Sequence, residues 1–300
     1  MRPPAGAIGA IAALLVVMLA GAVTHKQGDR VAAQTAAATT TTAAPPPSVL
    51  SQPLPRAPAQ LAADIDSAQQ IIDDPSSAGD LVASAGRFDQ LATGDLERKP
   101  PQTQRMVLGM LSRRAATTMR ANLAAAAALS RLAIPRKRLP PWKIIQPPAP
   151  ATLLSYFKLA QARFGIRWEY LGAIEFIETK FGRIRGPSTA GAQGPMQFLL
   201  STWARYGSGN INDPRDAILG AARYLRASGA PGDMAGALYH YNPSPYYVAA
   251  VNDYASVLRA DSRAYYGYYN WQVLYRYSRG LVILPVGFPK VRPVPVRYPR

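Results

Sequence analysis

Leu171, Ile174, Ile177 and Phe181 recur at the spacing of one helical face, and Glu178 lies inside that face, a turn beyond Ile174 and a turn before Phe181. No other feature constrains the fold as strongly, because a helix with this pattern must bury its stripe and carry the carboxylate in with it. The chain has only four glutamates, and three of them, Glu169, Glu175 and Glu178, fall within ten residues here. On the helical wheel Glu169 points to the opposite face and Glu175 lies at the stripe's edge. A carboxylate against apolar walls is poorly solvated, which favours its neutral form and raises its pKa. That is how a carboxylic acid stays protonated for use as a general acid near neutral pH. The plainer alternative is a solvated surface charge that snorkels outward from the helix edge.

The next stretch is broken by Gly182, Gly186, Pro187, Gly191 and Gly194, with Ser188 and Thr189 among them. Such a segment is a loop whose backbone can approach a ligand closely. Pro195 predicts the first turn of a new helix, where a missing N–H costs nothing. Met196, Gln197, Phe198 and Trp203 follow it. Gln197 supplies two donors and an acceptor beside apolar and aromatic surface, a pairing that suits sugars. An ordinary loop leading into a buried amphipathic helix is the alternative.

Downstream, Asp213-Pro214-Arg215-Asp216 predicts a helix start, with Asp213 as N-cap, and Gly229 its stop. Ile218, Ala221, Ala222 and Leu225 make its buried stripe, so this helix is scaffold. The segment Leu238 to Tyr247 forms a second candidate wall of a site. His240 is one of two histidines, and a lone histidine beside tyrosines is more often structural or partly exposed than catalytic. With no cysteine and one plausible histidine, there is no zinc site and no thiol nucleophile to propose. A Ser–His–Asp triad would have to use His240 and lacks a nucleophile elbow. No metal and no cofactor is expected.

These pieces resemble the soluble lytic transglycosylase family. Glu178-Thr179 corresponds to its Glu-Ser, and Ser188, Gly191-Ala192, Gly194 and Met196-Gln197 to its glycine-rich motif. Tyr241-Asn242 corresponds to its later Tyr-Asn pair. The resemblance covers roughly residues 150–260 and has two departures. Threonine replaces the serine after the glutamate, and one residue is added between Glu178 and Ser188. It implies a mainly α, lysozyme-like catalytic domain of the goose-lysozyme type, in which short helices surround a sugar cleft. Periodicity agrees, since no long run of alternating strands is evident.

The resemblance further implies cleavage of the β-1,4 bond between N-acetylmuramic acid and N-acetylglucosamine in peptidoglycan. Glu178 would protonate the glycosidic oxygen. It would then act as a base while the muramic 6-hydroxyl closes on C1, giving a 1,6-anhydro sugar without consuming water. Thr179, Ser188, Met196, Gln197, Tyr241 and Asn242 would line the substrate site. Tyr241 would hold Glu178 or the N-acetyl group, and Asn242 would bind a sugar amide or fix the turn before Pro243. Ordinary glycoside hydrolysis uses two flanking carboxylates. From Ile184 to Ile211 there is no Asp or Glu, which agrees with a one-acid mechanism. Two other readings compete: a lysozyme-type peptidoglycan hydrolase, which needs a water-activating acid, and a non-catalytic wall-binding module.

The first 24 residues predict a signal peptide or membrane anchor, since Ala5 to Val23 is an uncharged apolar run. Export to the cell envelope follows, either secreted or held at the membrane through this segment. Residues 25–57 are rich in Ala, Thr and Pro and predict an extended linker. Residues 58–140 predict a helical accessory region with a sharp charge split. Asp64 to Glu97 holds eight acids, whereas Arg98 to Arg167 holds fourteen Lys or Arg and no acid. The arms would pack as a hairpin, with the basic one partly free for an anionic wall polymer or a membrane surface. The net charge of +17 suits anionic wall glycans; no DNA- or RNA-binding signature accompanies it, and nucleic acid is not expected as a partner. Residues 261–300 form a Tyr/Pro/Arg-rich extension, with a short strand or turn near Trp271 and an extended basic tail.

Overall fold

The computed structural model describes residues 54–134 and 136–299. The signal or anchor segment, and the linker up to residue 53, lie outside the described residues. Four helices come first: α1 (Pro58–Asp73), α2 (Gly79–Arg98), α3 (Pro101–Met110) and α4 (Arg113–Leu132). The short strand β1 (Lys143–Ile144) leads into α5 (Pro150–Phe164), α6 (Trp168–Thr179) and β2 (Ile184–Arg185). Then follow α7 (Leu200–Tyr206), α8 (Pro214–Ala227), α9 (Met234–Tyr241), α10 (Pro245–Ala260) and α11 (Ala264–Tyr269). The chain closes with β3 (Val273–Tyr277), β4 (Gly280–Leu284) and β5 (Val294–Pro295). The architecture is mainly helical, compatible with a lysozyme-like helical fold.

α6 is the central helix. Every residue from Trp168 to Thr179 except Tyr170 is buried, so the single stripe read from the wheel understates its enclosure. All three glutamates are buried as a result, including Glu169, which was expected on the opposite face. Glu169 tolerates this because Arg167 Nη2 donates to its Oε1 at 2.8 Å. α5, α8 and α10 surround α6 with Leu153, Phe157, Ala221, Leu225, Val251 and Tyr254.

The helix stops abruptly. Lys180, Phe181 and Gly182 all have positive φ, at 53°, 61° and 78°. Two non-glycine residues in succession in the left-handed region are strained by on the order of 1 kcal/mol each. The packing that holds them is aromatic: Phe181 sits edge-on to Tyr265 at 5.3 Å and tilted against Phe176 at 5.6 Å. The Lys180 amine folds back and donates to Phe176 O at 2.8 Å, occupying a carbonyl near the helix end.

α1 to α4 form a second core around Ile65, Ile72, Phe88, Leu96 and Met119. α4 belongs to both cores, because Ala125, Ala126 and Leu129 at its C-terminal half pack with the α6 group. α2 approaches α11 so closely that a methyl on Gly86 would lie 2.5 Å from Gly267 O. Arg114 bridges Asp73 and Asp261, each at 2.8 Å, and so ties α1 to the end of α10.

β1 and β2 pair antiparallel, and β3, β4 and β5 form an antiparallel sheet in that order. Their shared core contains Trp142, Ile144, Ile184, Val273, Tyr275, Val282, Leu284 and Phe288. Where a short strand or turn was expected near Trp271, a three-stranded sheet forms. The C-terminal segment, expected as an extended basic tail, docks instead: Val296 N donates to Leu281 O at 2.9 Å, and Lys99 Nζ donates to Pro299 O at 3.0 Å.

Candidate active site

Glu178 sits one residue before the end of α6, fully buried. Its Oε1 accepts a hydrogen bond from Tyr247 Oη at 2.8 Å. Tyr247 enters from the first turn of α10, which begins as its residues dictate. Ser244 Oγ accepts from Tyr247 N at 3.3 Å as the N-cap, and Pro245 fits the first helical position. Sequence reasoning offers Tyr241, not Tyr247, to hold Glu178 or the N-acetyl group. Tyr241 Oη is engaged elsewhere, donating to Met196 O at 2.6 Å. The two rings stack nearly parallel, 6.4 Å apart at 4°. Burial, and then the negative charge of Glu178, holds both hydroxyls protonated well above the ordinary tyrosine range. Each is therefore a dependable donor.

Thr179 is committed to the loop. Its hydroxyl donates to Pro195 O at 2.6 Å and accepts from Gly182 N at 2.9 Å. It clips the glycine-rich segment onto the end of α6. Ser188 is also buried, and its Oγ accepts from Ala190 N at 3.2 Å and Ala192 N at 3.0 Å, closing a tight turn. Pro195 does not start a helix, contrary to expectation. Gln193 and Phe198 exchange backbone hydrogen bonds, each at 2.8 Å, around a turn in which Gln197 has φ 49°. Left-handed geometry is incompatible with a first helical turn, and the next helix waits until Leu200. Gly194 is required at this turn, with φ 75° and no room for a side chain. A methyl there would lie 2.0 Å from Ile211 O.

Gln197 is fully buried, and its Nε2 donates to Gly194 O at 2.9 Å. Its Oε1 has no hydrogen-bond partner among the described residues. Met196 is buried, and its carbonyl accepts from Tyr241 Oη. Asn242 caps the end of α9, its N donating to Leu238 O at 2.9 Å and its O accepting from Ser244 N at 2.7 Å. Its backbone thus holds the turn into α10. His240 is exposed and contributes its carbonyl to Tyr224 Oη at 2.8 Å. Asp213 caps α8 through Asp216 N at 3.0 Å, while Asp216 Oδ2 accepts from Asn210 N at 2.9 Å.

A further buried acid was assigned only to the stripe's edge. Glu175, one turn before Glu178, is fully buried, and among the described residues neither of its oxygens has a hydrogen-bond partner. Burial pushes its carboxyl up to about 8, opposed by the charge of Arg185. Lys180 has the converse problem: burial pushes its amine down to about 7, opposed by Glu178. Its amine also lies 4.1 Å from the Phe176 ring centroid. Glu175 was detectable from sequence only had the helix been recognised as enclosed on every side. Tyr247 was detectable from the Ser244-Pro245 helix start. Among the described residues no group of three or more His, Cys, Asp or Glu side chains comes together to hold a metal ion.

The class defined by this arrangement is a mainly helical protein whose buried acid ends a central helix against a glycine-rich loop. A stretch of 73 residues, 24% of the chain, is 37% identical to the membrane-bound lytic murein transglycosylase F of Thiobacillus denitrificans. The match spans 15% of that protein's length. No family model and no solved structure matches the chain. The similarity supports a relation to the lytic transglycosylases and no more. Among the described residues no helix is long and apolar enough to cross a membrane.

Proposed function

We propose that this protein is a peptidoglycan lytic transglycosylase, with Glu178 as its single acid and base. The observation that carries the reading is the fixed carboxyl: Glu178 is enclosed at the end of α6 and held by Tyr247 Oη at 2.8 Å. Its proton would pass to the glycosidic oxygen as the bond to muramic C1 breaks. The resulting carboxylate would take the proton from the muramic 6-hydroxyl as that oxygen bonds to C1. Proton and electron pairs balance, and the product is a 1,6-anhydro-muramoyl end. The substrate's own N-acetyl group would stabilise charge at C1, so no second carboxylate is needed. Glu175 does not supply one: burial keeps it neutral up to about pH 8, which makes it a poor water-activating base.

Tyr247 would keep one oxygen of Glu178 fixed, leaving the carboxyl to rotate little between its two roles. Thr179, Ser188 and Tyr241 would act at one remove, shaping the loop from Gly182 to Phe198 that faces the glycan. Gln197, whose Oε1 has no partner among the described residues, and Asn242 would meet the sugar amides. Glu178 is covered in this conformation, so a glycan reaches it only when the segments over it part. The apolar run at the N-terminus would carry this chemistry to the envelope, where peptidoglycan is the partner.

The test is digestion of purified sacculi by the full chain, with the released muropeptides identified by mass spectrometry. Anhydro-ended products support the reading. Reducing-end products point to a hydrolase, and binding without products points to a wall-binding module.

A further inference from the structure

A basic face extends from the site loop along the β-strands. Arg136, Lys137 and Arg138 are exposed, and their backbone is fastened to the β3–β4 hairpin. Arg136 O accepts from Ser278 N at 2.9 Å, Lys137 O from Ser278 Oγ at 2.9 Å, and Arg138 O from Tyr275 Oη at 3.4 Å. Exposed Arg279 follows Ser278 at the hairpin tip. Further along, Lys143 pairs with Arg185 across β1 and β2. Ile144 N donates to Phe288 O at 3.1 Å, and Gly287 N donates to Ile144 O at 2.8 Å, which brings exposed Lys290 alongside. Arg185 runs directly into Gly186, Pro187 and Ser188 of the site loop.

The segments that build this face have no counter-charge of their own. Residues 98–168, 179–212 and 262–300 contain no Asp or Glu. Among the described residues, the ion pairs involve Lys99, Arg114, Arg167 and Arg215, none of which lies on this face. Fixed cations of one sign, held on ordered backbone, create a positive potential that concentrates an anionic ligand. This differs from the basic arm expected from sequence, because three separate segments assemble it and the strands hold it rigid.

We propose that this face binds the carboxylates of the wall glycan as the strand leaves the site loop. The inference rests on the transglycosylase reading for the identity of the strand. A chain lying against the site loop meets Arg185, whose Nη1 also donates to Asn212 O at 2.8 Å, and can follow the exposed cations from Lys143 towards Arg136. The cations run from the hairpin tip, where Ser278 N meets Arg136 O, past the far end of β4 to where Ile144 N meets Phe288 O, an elongated row. The geometry therefore favours a linear polyanion over a lipid surface.

The experiment compares the full chain with two variants of equal net charge. The face variant is Arg136→Glu/Lys137→Glu/Arg138→Glu, and the control is Arg105→Glu/Arg113→Glu/Arg120→Glu on α3 and α4. All six side chains are exposed, so neither variant disturbs a core. Binding is measured by co-sedimentation with sacculi, with sacculi stripped of phosphate polymers, with peptide-free glycan and with phosphatidylglycerol vesicles. The face variant should bind intact sacculi about tenfold more weakly at low salt, with the difference shrinking as salt rises. The control should bind like the parent. The difference should persist on sacculi stripped of phosphate polymers, and its disappearance there would assign the ligand to phosphate and overturn the proposal. Equal loss in both variants overturns the proposal, as does a loss confined to the vesicles. Anhydro-product release from short peptide-free glycan is followed in parallel and should be the same for all three proteins. If it is absent from all three while the binding difference persists, the transglycosylase reading fails and the basic face stands.

Discussion

Tyr247 Oη donates to Glu178 Oε1 at 2.8 Å, joining the first turn of α10 to the last turn of α6. The bond links a buried acid to the element that follows the Tyr-Asn pair. Tyr247→Phe removes the donor and leaves the ring. Turnover should fall by up to about a hundredfold, the scale of a misplaced catalytic group, with the fold retained. Steady-state kinetics on sacculi, with circular dichroism as the check on folding, decide it; unchanged turnover would remove Tyr247 from the site.

Tyr241→Phe should act differently. Its hydroxyl holds Met196 O at 2.6 Å, so its loss leaves a buried carbonyl unpaired. Stability should drop by about 1–3 kcal/mol, read by urea denaturation, and activity should drop through the loop rather than the acid.

Thr179 offers a separation of hydroxyl from shape. Thr179→Val leaves Gly182 N and Pro195 O without their partner, at a cost of about 2 kcal/mol or more. Thr179→Ser keeps the hydroxyl and should restore most of that loss. Equal denaturation midpoints for the two variants would show that the clip is unimportant.

The contrast between Tyr241 and Tyr247 marks where sequence reasoning stops. Helical periodicity and capping gave α8 from Asp213 to Gly229, because Ile218, Ala221, Ala222 and Leu225 report burial directly. The enclosure of Glu178 was legible in the same way. That of Glu175 was not, because a wheel shows one face, and only the tertiary packing of α5, α8 and α10 closes the others. The turn at Pro195 was misread because left-handed Gln197 has no signature in residue type, and Gly194 is fixed by the distant Ile211. The sheet was understated because its strands are short and β5 contains proline. The dual membership of α4 in two cores depends on non-local contacts that no local pattern reports.

Gly194→Ala tests the closest backbone contact in the loop. The methyl would sit 2.0 Å from Ile211 O at a φ of 75°, so the loop must shift or unfold. A loss of several kcal/mol is expected, on the order of the larger single-residue effects. A melting temperature within a degree of the parent would contradict it.

Glu175 and Lys180 give opposite limbs to the pH profile of stability. Glu175 titrates at about 8 in the fold against 4.5 as its ordinary value. Its stability contribution is full below pH 4.5 and is lost as pH rises to about 8. Lys180 titrates at about 7 against 10.5, so its contribution is full above 10.5 and is lost as pH falls to about 7. The two limbs meet between roughly pH 7 and 8. Glu175→Gln should flatten the acid-side limb and Lys180→Met the alkaline one, measured by denaturant unfolding across pH. A parental profile in both variants would mean that neither group is titrating as its burial demands.

The central claim is that Glu178 cleaves the glycan without water, and digestion of sacculi in ¹⁸O-labelled water reads this directly. The wild type should release anhydro-ended muropeptides that carry no label, and Glu178→Gln should release none. Labelled reducing ends from the wild type would mean that water attacks C1, and the one-acid account would be wrong.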